Sequence, residues 1–99
     1  MNKDLLSLIG LAYAAKKIVT GEEFVIEKIR QNQVKFLFIA KDASEKSKKK
    51  LIDKATFYKV EYNLDFSSEE LSKAIGKQNR MSIGILDKGF TKLIKEKVI

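Results

Sequence analysis

KKIVTGEEFVIEKIRQNQVKFLFIAKD, residues 16–42, reads as strand, tight turn, helix, strand. The short apolar run KIV stops at Thr20-Gly21. Thr20 and Glu23 stand at capping-box spacing, where hydroxyl and carboxylate satisfy each other's open amides, so a helix is expected to start there. Val25, Ile26 and Ile29 give that helix an apolar stripe, and Gln31-Asn32 ends it. FLFIA, residues 36–40, is apolar throughout and of strand length. Two buried strands joined by a helix of this length predict a parallel β-α-β unit.

Working outward, the N-terminal side is helical. Asn2 is placed to cap a helix in which Leu5, Leu8, Ile9 and Ala12 share a face, widened by Leu6, Leu11 and Tyr13. Gly10 inside it is mildly unfavourable for a helix and suggests the close approach of another element. On the C-terminal side, Asp42 or Ser44 caps the helix SEKSKKKLIDKATFY. Ser47, Leu51, Ala55 and Tyr58 fall on its inner side, and Lys46, Lys49, Lys50 and Asp53 on its outer side. KSKKK reads as a solvated helix face, with Asp53 offsetting part of its charge. KVEYNL, residues 59–64, alternates, with Val60, Tyr62 and Leu64 pointing one way. Ser67 and Glu70 form a second capping box, opening a short helix that Gly76 terminates. RMSIGIL, residues 80–86, is another strand. Asp87 caps a last helix whose Phe90, Leu93, Ile94 and Val98 face inward.

The order α-β-α-β-α-β-α-β-α predicts a single domain over residues 1–99. Its expected class is α/β, a three-layer α/β/α sandwich with a mixed, mostly parallel sheet of about four strands.

Composition narrows the function. The chain has 99 residues and a net charge of +7, with neither Cys nor His. Thiolate chemistry, disulfides and the commonest general base and metal ligand are therefore missing. The charge suits a polyanion, nucleic acid before an anionic membrane. Most of it is Lys, which contacts phosphate without reading sequence. No run is long enough to span a bilayer, and the start lacks the long apolar core of a signal peptide, so a cytoplasmic location is expected. Asp42, Asp65 and Asp87 each follow a strand. Together they have the chemistry to hold Mg²⁺, but each is equally placed to cap the next helix, and capping is the reading adopted. There is no Gly-rich phosphate loop, and no nucleophile has an identifiable base. No catalytic residue, metal or cofactor is assigned, and the chain is not read as an enzyme.

Three segments read together resemble one family: residues 17–21 (KIVTG) with the helix over 22–31, residues 36–43 (FLFIAKDA), and residues 71–80 (LSKAIGKQNR) running into SIGILD. The chain is similar over nearly its whole length to the ribosomal protein L7Ae/L30e family of RNA binders, and most similar to its small bacterial paralogues. The resemblance implies an α/β/α sandwich and binding to structured RNA, typically kink-turns. In that family RNA is met at a Gly-x-Asn-Glu-x-x-Lys helix start, at the loop after the central strand, and at a Leu-Gly-x-Ala-x-Gly loop before the last strand.

Carried over, Gly21 matches the first motif, but Glu23, Phe24 and Glu27 replace its Asn, Glu and Lys. Ala40, Asp42 and Ala43 match the second segment, where Lys41 adds charge. Leu71, Ala74 and Gly76 match the third, and Ser72 replaces a glycine. The RNA-binding residues expected on this basis are Lys16, Lys17, Gly21, Lys28, Lys41, Lys73, Ile75, Gly76, Lys77 and Arg80, with an atypical kink-turn site. Expected partners are structured RNA, ribosomal or other, and ribosomal, translation or transcription proteins. No membrane partner is expected, and the chain is read as a monomer. The competing reading is a protein-interaction module of the same fold that has lost RNA binding, with Phe24 as its anchor.

Overall fold

The computed structural model describes residues 3–98. Among them the order is α1 (Lys3–Ala14), β1 (Ile18–Thr20), α2 (Glu22–Arg30), β2 (Phe36–Ile39), α3 (Glu45–Phe57), β3 (Glu61–Asn63), α4 (Ser68–Ala74), β4 (Ser82–Ile85) and α5 (Lys88–Val98). This is the alternation the sequence predicts. The Asn2 cap lies outside the described residues.

The strands form one mixed sheet in the order β1-β4-β2-β3. β2 and β3 pair in parallel. β4 lies between β1 and β2, antiparallel to both. Three strands therefore run one way and β4 the other. β1 and β2 are parallel as predicted, but β4 separates them. The reason is burial: β2 and β4 bury every side chain, whereas the residues of β1 are only partly covered. Strands apolar on both faces take the interior of a sheet. Gly84 allows the fit, since a Cβ there would meet Val19 Cγ1 at 2.9 Å and Val34 Cγ2 at 3.1 Å.

Alternation along β2 divides the core in two. Phe36 and Phe38 join Ile83 and Ile85 against Leu5 and Ile9 of α1, Leu71 of α4 and Ile94 of α5. Leu37 and Ile39 face Val25 and Ile29 of α2 and Leu51 and Ala55 of α3. Helices thus cover both faces, as the three-layer reading requires. Gly10 does admit a close neighbour: a Cβ there would stand 2.9 Å from the Ala74 carbonyl oxygen, where α1 meets α4.

Local readings are corrected at the sheet's margins. Thr20 does not cap α2. Gly21 is the N-cap, with no side-chain bond, and the Thr20 hydroxyl donates instead to the Ser82 carbonyl at 2.9 Å. As the last residue of β1, Thr20 lies beside the start of β4 and turns to it. β3 is shorter than expected. Val60 and Leu64 pack inward, but Tyr62 is 39% exposed and Asn63 only 8%. Asn63 is tolerated inside because Asp65 satisfies it: its Nδ2 donates to Asp65 Oδ2, and its Oδ1 accepts from the Asp65 amide.

Candidate nucleic-acid interface

Because β4 runs against its neighbours, its start lies beside the ends of β1 and β2. The Ala40 amide donates to the Met81 carbonyl at 2.8 Å, and the Lys41 amide to the Phe66 carbonyl at 2.8 Å. The Gly21 turn, the loop after β2, the loop after β3 and the 75–81 loop therefore share one rim of the sheet. We call it the strand-end rim. It brings together Gly21, Lys41, Gly76, Lys77 and Arg80, with Lys73 on the last turn of α4.

Side chains fix this rim from within. Asp42 does not cap α3, which takes Ser44. Its carboxylate accepts from the Ser68 amide at 2.7 Å and the Ser68 hydroxyl at 2.8 Å. These bonds, the amide first, hold the Asp42 carboxyl below its ordinary range. α4 also has the predicted capping box, with Glu70 N donating to Ser67 Oγ at 3.1 Å and Ser67 N to Glu70 Oε1 at 2.9 Å. At its other end the Gly76 amide reaches the Lys73 carbonyl and the Lys77 amide the Ser72 carbonyl. This closure needs a left-handed residue, and Gly76 supplies it at φ 68°.

Ser72, the departure from the family's glycine, is 5% exposed. Its hydroxyl accepts from the Arg80 amide at 2.8 Å and so ties the far end of the 75–81 loop to α4. α4 and this loop enclose a groove of about 610 Å³ lined by Ser68, Ser72, Lys73, Gly76 and Lys77 among others. Lys73 and Lys77 are exposed at its edge, with the Lys77 ammonium 6.0 Å from the centre of the Tyr13 ring. Arg80 Nε and Ser82 Oγ, further along this loop and at the start of β4, are shut off from solvent and have no hydrogen-bond partner among the described residues.

The start of α2 closes the rim on its other side. Glu22 turns away towards α3, where Lys50 stands 3.3 Å from its carboxylate. The Ser47 hydroxyl, the largest influence, keeps its carboxyl below the ordinary range against the opposing effect of burial, with Lys50 and Lys46 adding to the lowering. Glu23 is exposed, and Phe24 presents its ring at 71% exposure.

Four expected residues do not join this rim. Lys16 and Lys17 precede β1, and Lys28 lies on the last turn of α2, so all three belong with the strand starts. Ile75 is 5% exposed and part of the core; it follows Ala74 on the inner face of α4, so its side chain is not free to meet a base. Sequence reasoning gave Ser72 no role, although its departure from the family pattern was the signal. The three aspartates are also separated, because antiparallel β4 carries Asp87 to the opposite rim, where it caps α5 by accepting from the Phe90 amide at 2.9 Å. Among the described residues no group of three or more His, Cys, Asp or Glu is arranged to hold a metal ion, and no helix is long and apolar enough to cross a membrane.

The profile of the ribosomal protein L7Ae/L30e/S12e/Gadd45 family matches residues 3–95. The chain belongs to this family. Within it, the chain is 46% identical over 91 residues to the RNA-binding protein YlxQ of Enterococcus faecium, covering 92% of this chain and 87% of that one. It is 42% identical over 83 residues to the RNA-binding protein YlxQ of Bacillus subtilis, covering 84% and 83%. The expected likeness to a small bacterial paralogue is thereby met. Among solved structures, a protein of unknown function from Bacillus halodurans superposes with a TM-score of 0.91 at 36% identity, covering 95% of each chain. A Giardia lamblia 15.5 kD RNA-binding protein superposes at 0.84 with 18% identity, covering 99% of this chain and 88% of that one, which shows the shared L7Ae-type fold.

Proposed function

We propose that this protein binds structured RNA in the cytoplasm, as a ribosome-associated or other ribonucleoprotein component, through the strand-end rim. The observation that carries this reading is the 75–81 loop. It is fastened at Gly76 and Ser72 and presents Lys77 and Arg80 beside the Gly21 turn, in a chain 46% identical to a protein named for RNA binding. Lys41, Lys73 and Lys77 meet phosphates as point charges. Arg80 is half-buried with its Nε shut off from solvent, and it adds a fixed positive charge beside them. The Gly76 main chain lets a sugar edge approach.

A kink-turn is bound here in an altered mode. The helix start that supplies Asn, Glu and Lys in the family pattern has Glu23, Phe24 and Glu27. Glu23 repels phosphate, and Glu27 accepts from Gln31 Nε2 at 3.1 Å. Phe24 replaces polar readout with an exposed ring on which an unpaired base stacks. The same exposure favours a second reading, in which Phe24 anchors a protein partner.

Filter binding of a kink-turn RNA at two salt concentrations separates the two. RNA binding predicts retention at low salt that falls steeply as salt rises, and a loss of affinity in Phe24→Ala. Absence of retention at low salt overturns it in favour of the protein-interaction reading.

A further inference from the structure

A second basic cleft lies at the opposite rim. The Lys35 amide donates to the Ile85 carbonyl at 2.7 Å, which places Lys35 where β4 ends and α5 is about to begin. Lys35, Lys88, Thr91, Lys92, Lys95 and Glu96 line a cleft of about 480 Å³ there. Lys88, Lys92 and Lys95 follow one another at intervals of four and three, on one face of α5. Lys35 Nζ donates to the Asn32 carbonyl at 3.1 Å, and Lys95 pairs with Glu61. Lys88 and Lys92 make no ion pair among the described residues. Thr91 in the cleft wall is 6% exposed, and its hydroxyl has no hydrogen-bond partner among them.

This arrangement disfavours the isolated fold. Like charges four apart weaken a helix, and a buried hydroxyl without a partner is costly. Two further lysines of the strand starts, Lys16 and Lys59, occupy left-handed backbone positions at φ 61° and 60° that glycine fills with less strain. The features have one consequence in common: cationic charge is kept at this rim against local conformational preference.

We propose that the α5–β2 cleft is a second phosphate-binding surface that takes the backbone of another RNA segment, so that one chain bridges two RNA segments. The inference rests on the reading above that the strand-end rim takes the first. Lysine rather than arginine lines the cleft, so it contacts phosphates without reading bases. The lining is without an aromatic ring, which suits a duplex backbone better than splayed single-stranded bases.

The test uses the full chain, a kink-turn RNA on beads, and a labelled RNA duplex of about 16 base pairs added second. Native mass spectrometry counts chains and RNAs in the eluted complex. The expected result is one chain with two RNAs. The Lys88→Gln/Lys92→Gln/Lys95→Gln variant should keep its affinity for the first RNA within about twofold and lose capture of the second by about 50-fold or more near physiological salt. A control of equal charge in the middle of α3, Lys48→Gln/Lys49→Gln/Lys50→Gln, away from both rims, should capture it normally. Equal loss in the control, unchanged capture by the cleft variant, or a wild-type complex that stops at one RNA overturns the proposal while leaving the first site intact. Binding of phosphatidylserine vesicles through the cleft without capture of a second RNA also overturns it. A wild-type chain that takes no RNA at all removes both proposals.

Discussion

The two rims of the sheet differ in which helix ends they receive. The strand-end rim takes the starts of α2, α3 and α4, and with them Glu22, Glu23, Glu45, Glu69 and Glu70. The strand-start rim takes the ends of α2 and α3, with Lys28, Arg30, Lys54 and Lys59. Each set complements the helix dipole at its own end. Over α2 and α3 and at the start of α4 the fold therefore sorts charge by itself, acids to the strand-end rim and bases to the other, whereas Lys88 at the start of α5 stands against its helix dipole. The rim proposed above to face RNA is the one that receives these acids. Its cations, Lys41, Lys73, Lys77 and Arg80, lie on a loop, a final helical turn and another loop, outside that sorting. Few in number and set against carboxylates, each should matter individually. At the strand-start rim the cations are many, and each should matter less.

The largest effect should follow from removing the strand-end cations. Lys41→Gln/Lys77→Gln/Arg80→Gln is expected to weaken RNA binding about 100-fold near physiological salt and to lower the salt slope by two to three. Filter binding across a salt series measures both. An unchanged slope would mean that the rims have been assigned the wrong way round.

Next comes the packing that holds α4 in place. Gly10→Val sets a side chain against the Ala74 carbonyl and is expected to cost about 1–3 kcal/mol. Gly76→Ala meets nothing within 4 Å, but its φ of 68° makes alanine strained, at about 1 kcal/mol. Urea denaturation ranks them, and an equal cost would remove the case for a tight α1–α4 contact.

Ser72→Ala leaves the Arg80 amide without its partner and should cost about 1–2 kcal/mol. RNA affinity should fall further than stability does, because the loop loses its tether. Restoring the family pattern with Ser72→Gly should behave alike. At the other rim the sign reverses. Lys59→Gly relieves a left-handed lysine and should raise stability by up to about 1 kcal/mol. If it does not, backbone strain no longer argues that charge is favoured at that rim.

Periodicity and capping spacing were enough to read the order of elements and most of the core. Ser67 and Glu70 sit three apart and satisfy each other directly, so the code was local. The position of β4 was not local. SIGI announces a buried strand, but its insertion between β1 and β2 depends on which partners are left half-covered. Asp42 was legible as a cap but not as the cap of a helix that starts 26 residues further on. The tie from Ser72 to Arg80 spans 8 residues and joins a side chain to a backbone amide, a pairing without a sequence period. The candidate loop was visible through resemblance and charge, and what fastens it became visible only in three dimensions. Ile75 shows the limit of reading a motif as surface, since the helical turn that positions Gly76 also buries its neighbour.

Acid should distinguish the rims by the smallest effect and the clearest sign. Asp42 and Glu22, both on the strand-end rim, have carboxyls held below their ordinary range. A carboxylate whose pKa is lowered by folding stabilises the fold above its unfolded value and loses that contribution as pH falls through the folded one. For Asp42 the contribution should be complete above its reference value of 3.8 and fade below it. Asp42→Asn should therefore be less stable than the natural chain near neutrality, with the gap closing as pH drops below that value. Because Asp42 is exposed, the gap should be modest. Urea midpoints at pH 7 and in strong acid give the gap, and the Ser68 amide resonance reports the bond itself. A gap that stays constant with pH would mean that the side-chain amide replaces the carboxylate fully, and that the charge on this rim serves something other than the cap of α4.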